Sequence, residues 1–367
     1  MPLNDNTLAA LAHLDRSQPV LVTGATGYVA GQLIRRLLQE GLTVHAAVRD
    51  PGNTERLAAL KALEDSMSGK LRVFASDLLE QGSYAEAMAG CAVVFHTASP
   101  FVVSVEDPER DLVRPAVEGT RNVLQEANRQ SSVERVVLTS SCAAIYSDNA
   151  DALDTSRGCF DESVWNTTAS LTHQAYSHSK TLAEQAAWQI AEQQSRWRLV
   201  VINPSLVLGP AISDDTHGES FSLMTQLCDG TLRIGAPDYG MGVVDVRDVA
   251  EAHLAAGFLP TATGRHLVAG HSSSFIALGR LLSHHAGPQY AIPTRQLPRW
   301  LVWLAGPLAN RAVTRKIVSR NVGHAFVFDN TRSREQLGLI YRPLETTLHD
   351  MFDQRRRNGS SRAFNPL

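Results

Sequence analysis

The chain has 367 residues, 44% hydrophobic and 19% charged, the mix of a globular protein with a sizeable core. A formal net charge of −3 and a pI near 6.5 give no electrostatic reason to expect nucleic acid or an anionic membrane as partner. Four scattered cysteines (Cys91, Cys142, Cys159, Cys228) show neither Cys-x-x-Cys nor metal-ligand spacing, which points to reduced thiols in a cytoplasmic protein without a metal site.

Residues 1–18 contain acids and no long apolar core, so they read as an extension, neither secretory signal nor anchor. Val20, Leu21 and Val22 then form an apolar run, a strand buried on both faces. Gly24 and Gly27 follow, and residues 28–39 carry Val29, Leu33 and Leu37 at helical spacing. Strand, Gly-x-x-Gly turn and amphipathic helix together build a phosphate cradle. The turn needs residues without a Cβ, and the helix start offers unpaired N–H groups and a positive dipole end. A dinucleotide pyrophosphate fits it, so the chain opens as a Rossmann-type unit, with Ala30 as a tolerated third small position.

A second strand at 43–48 ends at Arg49-Asp50-Pro51. An acid at that end favours the ribose 2′-OH of NAD and an Arg suits the 2′-phosphate of NADP, so Arg49 favours NADP while Asp50 pulls the other way. Residues 53–63 read as a helix and 71–75 as a third strand leading to Asp77, which either meets the adenine edge or caps a loop. A short helix at 83–88 and a fourth strand at 92–97 follow; His96 within that strand reads as a satisfied core histidine. Asp107-Pro108-Glu109 caps a helix running to about 128, and 133–139 is a fifth strand. Strands alternating with helices predict a doubly wound parallel sheet.

Tyr176 and Lys180, four apart, share one face of the next amphipathic helix. A phenol is a poor acid–base group at neutral pH, but a neighbouring ammonium favours its ionised form, and a serine from the end of the fifth strand can share the substrate oxygen. His178 faces away from that pair. A sixth strand at 198–202 leads to Asn203-Pro204-Ser205, and beyond 211 the alternation breaks down. There we expect a helix at 221–228, a short strand TLRIG, a return to the sheet at 243–246, and a helix at 248–257. The apolar stretch 300–308 is too short to cross a bilayer, and the basic run 355–357 lies in a polar tail. The division is thus an extension (1–18), a nucleotide-binding domain (19–210, with 240–263 returning), a smaller substrate-binding lobe (211–239 and 264–355) and a flexible tail (356–367).

With Gly24-x-x-Gly27, Arg49, Asp77-Leu78, His96 to Pro100, Thr139-Ser140-Ser141, Tyr176-x-x-x-Lys180 and Asn203-Pro204-Ser205 in order, the chain resembles the extended short-chain dehydrogenase/reductase superfamily over about 19–352. VRDP at 48–51, DES-x-W at 161–165 and SKTLAEQAAW at 179–188 are similar to its dihydroflavonol reductase and cinnamoyl-CoA reductase branch. The resemblance implies an NADPH-dependent carbonyl reductase with Ser141, Tyr176 and Lys180 as catalytic triad, Ser141 preferred over Ser140 for its distance from the tyrosine. It also implies that Thr23, Gly24, Thr26, Gly27, Tyr28, Val29, Arg49, Asp77, Leu78, Thr97, Ala98, Ser99, Thr139, Pro204 and Val207 hold NADP alongside Tyr176 and Lys180. A homodimer packed through helices is the matching assembly.

The substrate match is thinner. Tyr146 stands where plant dihydroflavonol reductases usually carry asparagine, and the residues around Tyr176 depart from the cinnamoyl-CoA reductase signature. Phe101, Tyr146, Phe221 and Met224 are expected pocket walls for a small-molecule carbonyl substrate, with plain core packing the competing reading. Two other functions use the same frame: an NAD-dependent sugar-nucleotide epimerase or hydroxysteroid-type dehydrogenase, and a non-catalytic NADP sensor, which has no need of an intact triad.

Overall fold

The computed structural model describes residues 3–100, 105–213, 218–310 and 313–357. Helix α1 (Asp5–Ala12) is capped by Asn4, and buried Leu3 bridges to buried Leu339, so the N-terminal extension is fastened to the far end of the chain. Then β1 (Val20–Thr23), α2 (Tyr28–Gln39), β2 (Thr43–Val48), α3 (Thr54–Ser66), β3 (Lys70–Ala75), α4 (Ala85–Met88) and β4 (Val93–His96) alternate as the sequence predicts. A π-helical turn, Glu109–Val113, with Asp107 accepting from the N–H groups of Glu109 and Arg110, precedes α5 (Arg114–Arg129). β5 (Arg135–Thr139), α6 (Ala175–Ala191) and β6 (Arg198–Pro204) complete the alternation.

All pairings of the central sheet are parallel. Reading across it, β3, β2, β1, β4, β5 and β6 lie side by side, with a seventh strand at residues 264–268 on the far edge. The strand order reverses between β1 and β4, which opens a crevice beyond their carboxyl ends. Leu33, Ile34, Leu37 and Leu38 of α2 are fully buried against the sheet, each stabilising by roughly 1.5–3 kcal/mol.

Beyond β6 the order differs from the expectation. After Ser205 the chain leaves the sheet as β7 (Leu206–Leu208), which leads through α7 (Glu219–Cys228) and β8 (Ala236–Pro237) to β9 (Gly240–Asp245). β9 pairs with β7, so the run at 243–246 joins a second sheet and does not return to the first. Helix α8 (Val246–Phe258) does return: Val249 and Leu254 share a core with α2 and β1. β10 (Gly264–Val268) is the seventh strand of the main sheet, so the lobe starts after it, at β11 (His271–Ser274), the third strand of the second sheet. The expected strand TLRIG is a turn, set between Gly230 and Gly235, both at positive φ.

The lobe continues with α9 (Phe275–Ala286), β12 (Gln296–Leu297), α10 (Arg299–Ala309), α11 (Arg315–Asn321), α12 (Thr331–Gln336) and α13 (Leu344–Arg357). Phe221, Met224, Leu278, Leu282, Leu348 and Phe352 form its core. Helix α13 runs on through Arg357, past the expected start of the tail; residues from 358 lie outside the described ones.

Candidate active site

The crevice between β1 and β4 exists because residue 24 has no side chain. Gly24 adopts φ +62°, and a Cβ there would lie 2.9 Å from the Ala98 Cα, so any other residue would push the two strand ends apart. Thr23 ties those ends together: its hydroxyl accepts from the Ala98 N–H (3.0 Å) and pairs with His96 Nδ1 (2.9 Å), while Thr97 donates to the Thr23 carbonyl. His96 is thereby the core histidine that the apolar run predicts, its pKa pushed down to about 3 by burial and then by Lys180. Gly27 caps α2 without a side-chain acceptor, which leaves the helix's first N–H groups to a ligand. Tyr28 turns toward the lobe, donating to the Gly209 carbonyl (2.7 Å) with its ring edge-on to Phe221.

At the end of β2, Arg49 is exposed and makes no hydrogen bond or ion pair among the described residues. The Asp50 carboxylate accepts from the Gly52 N–H (2.8 Å) and is occupied in that turn. Asp77 likewise accepts from the Leu79 N–H, the loop-capping role. Leu78, Ala98, Ser99, Thr139, Ser140 and Lys180 line one cleft. A roomier surface hollow, ≈ 420 Å³, lies between α5 and α6 and contains none of the residues expected to react or to hold a cofactor, so the site follows the chemistry and not the size.

Consecutive residues of an extended chain point to opposite sides, and the two serines after β5 do so. Ser140 Oγ is buried and donates to Glu184 Oε2 (2.5 Å). Ser141 Oγ accepts from the Ala143 N–H (3.1 Å) and lies on the Tyr176 side, where it favours the ionised phenol, so Ser141 and not Ser140 faces the tyrosine. On α6, Lys180 Nζ lies 5.7 Å from the Tyr176 ring centroid and donates to Ser99 Oγ (3.0 Å).

The phenol's pKa is not lowered on balance. Tyr176 is 45% exposed, and desolvation where it packs raises its pKa, with Glu219 adding to the rise and Ser141 opposing it. Lys180 is drawn down to about 8 by burial, against the pull of Glu184 and Glu219. Tyr176 is therefore protonated at neutral pH, the form that donates.

Three further residues below and beside this group, Glu184, Asp148 and Gln174, were given no role by the sequence reading. Glu184, one turn beyond Lys180, is buried and accepts from Arg265 Nε (2.6 Å), Asn203 Nδ2 (2.7 Å) and Ser140. The other cluster surrounds Asp148, whose carboxylate is fully buried and bonds His173 Nε2 (2.7 Å), Arg320 Nε (3.0 Å) and Asn321 Nδ2 (2.6 Å). Between that cluster and Tyr176 stands Gln174, the only non-glycine residue at positive φ among the described ones (φ 55°). Its side-chain amide donates to the Ser147 carbonyl (3.2 Å). Glu184 had a legible signal, the same four-residue spacing that marks Tyr176 and Lys180; Asp148 had none.

The other expected residues fall as follows. The Thr139 hydroxyl donates to His253 Nε2 (2.6 Å), because His253 Nδ1 is bonded to the Val249 carbonyl. Val29 is half-buried, Thr26 is exposed, and Pro204 and Val207 lie in β6 and β7. Tyr146 stacks on Phe160 (ring centroids 4.5 Å) and lies tilted against Phe326 (4.9 Å). Met224 is fully buried and Phe221 nearly so, which makes both lobe core in place of pocket wall. Phe101 lies outside the described residues.

The model of the NAD dependent epimerase/dehydratase family matches residues 20–270. The chain is 39% identical to tetraketide alpha-pyrone reductase 1 of Arabidopsis thaliana over 282 residues, 75% of this chain and 83% of that one. It is 38% identical to cinnamoyl-CoA reductase CAD2 of Medicago truncatula over 283 residues, 76% and 82%. Among solved structures, yeast methylglyoxal/isovaleraldehyde reductase, crystallised with NADPH, superposes with a TM-score of 0.74 at 27% identity, covering 94% of this chain and 100% of that one. The chain belongs to the NAD dependent epimerase/dehydratase family, as an oxidoreductase of its dihydroflavonol reductase and cinnamoyl-CoA reductase-like branch.

Proposed function

We propose that this oxidoreductase uses NADPH to reduce an aldehyde or ketone, bulky or aromatic, with Tyr176 as proton donor. The observation that carries the reading is the convergence of Ser141, Tyr176 and Lys180 beside a cradle that a Cβ at residue 24 would fill. The residues fit the cofactor: the open turn and free start of α2 suit a diphosphate, and unpaired Arg49, with Asp50 already engaged, suits a 2′-phosphate. NADPH supplies a hydride when bound.

The chain's own residues do the rest. Ser141 Oγ and the Tyr176 hydroxyl, on the same side of the site, share the carbonyl oxygen and polarise it. Tyr176 then delivers its phenolic proton to that oxygen as negative charge builds there. Lys180 would hold the cofactor's ribose hydroxyls, and its ammonium, 5.7 Å from the Tyr176 ring, stabilises the phenolate left behind. Absorbance of NADPH, followed with aromatic aldehydes, diketones and hydroxyketones and with NADH in parallel, tests this. NADPH-preferring turnover of at least one class is expected; a preference for NADH, or no turnover of any, contradicts it.

A further inference from the structure

Helix α10, RWLVWLAGPLA, has no buried residue. Trp300, Trp303, Leu304 and Leu308 are 67%, 40%, 52% and 88% exposed, and their spacing places them in one stripe along the helix. Elsewhere in the chain a tryptophan is treated as core: Trp197 is 2% exposed. A continuous apolar stripe of this kind marks a surface that something covers.

The charges around the stripe say what covers it. From residue 295 to 320 the sequence holds Arg295, Arg299, Arg311, Arg315, Lys316 and Arg320 and no Asp or Glu, within a chain of net charge −3. Arg320 is neutralised by Asp148 and Asp151. Arg295, Arg299, Arg315 and Lys316 are exposed and form no ion pair among the described residues, and the Arg315 guanidinium lies 4.6 Å over the Trp303 ring. The net charge of the whole chain averages this patch away.

We propose that α10 and the start of α11 form a docking surface for an anionic lipid membrane. Tryptophan and leucine seat at the headgroup–acyl boundary while arginine and lysine meet lipid phosphates and carboxylates. Eleven residues make a helix about 16 Å long, roughly half the hydrocarbon core, so α10 lies on the membrane and does not cross it. A second copy of the chain is the competing occupant. A two-fold interface sets a patch against itself, which would bring Arg295, Arg299, Arg315 and Lys316 of both copies together without acids to offset them. The proposal does not depend on the reductase reading.

Co-sedimentation of the full chain with phosphatidylcholine vesicles, with and without phosphatidylserine, tests it. The chain binds the phosphatidylserine vesicles, with a blue shift in tryptophan fluorescence, and releases on added salt. Trp300→Ser with Trp303→Ser, and separately Arg315→Glu with Lys316→Glu, each weaken that binding about tenfold or more, while NADPH turnover in solution is unchanged. No binding to the anionic vesicles, equal binding to both kinds, or a dimer that the tryptophan variant dissociates overturns it, the last by assigning the stripe to a second copy.

Discussion

Two buried carboxylates, one within α6 and one ahead of it, fasten that helix to different parts of the molecule. Glu184 sits inside α6 and holds Arg265 of β10, Asn203 of β6 and Ser140 after β5, all of them on the nucleotide-binding sheet. Asp148 sits ahead of α6 and holds His173 just before it, together with Arg320 and Asn321 of α11 in the lobe. The helix that carries Tyr176 and Lys180 is thus anchored from below by the sheet and at its start by the lobe. On the proposed function, the arrangement predicts a divided site: cofactor geometry should depend on the first anchor and substrate geometry on the second.

Removing the lower anchor has the larger effect. Glu184→Ala leaves the Arg265 guanidinium, 7% exposed, without its charge partner, and costs about 3–5 kcal/mol of folding free energy, read from urea unfolding. NADPH affinity and carbonyl turnover fall together. A variant of wild-type stability would show that the sheet holds α6 by packing alone.

Asp148→Asn keeps the shape and removes the charge facing His173 and Arg320. A loss of about 1–3 kcal/mol is expected, with a raised KM for the carbonyl and an unchanged Kd for NADPH. Equal losses for the two ligands would erase the division between anchors.

The smallest effect needs no substitution. Burial holds Lys180 at about 8, below the ordinary lysine value, so its ammonium is present below that pH and lost above it. NADPH binding by the free enzyme therefore weakens as pH climbs through 8, by up to about tenfold at pH 9, while carbonyl KM at saturating cofactor changes less. Titration of cofactor fluorescence at pH 7, 8 and 9 checks it; flat affinity would remove Lys180 from the cofactor's side.

How much of this was legible follows from the range of the interactions. Helix α2 and strand β2 match the expected bounds residue for residue, because period and turn chemistry are local properties. The seventh strand was misplaced because 243–246 is the more apolar run, whereas Arg265 and His266 interrupt the pattern at 264–268. Which of them lies beside β6 is decided by β7, which captures β9. TLRIG has strand-like residues, yet two glycines at positive φ turn it. Tyr176 and Lys180 were visible through their spacing on one helical face. The Asp148 cluster was not, since Arg320 and Asn321 lie more than 170 residues away in sequence and no periodicity links them. The apolar run at 300–308 was visible, but its exposure is a property of the folded molecule.

The central claim is that the Tyr176 hydroxyl donates the proton. Tyr176→Phe removes that one oxygen from a residue already 45% exposed and leaves the Lys180–Ser99 contact in place. NADPH binding should remain near wild type while kcat with the best carbonyl falls about 10²- to 10⁴-fold; a kcat within a few-fold of wild type would contradict the account.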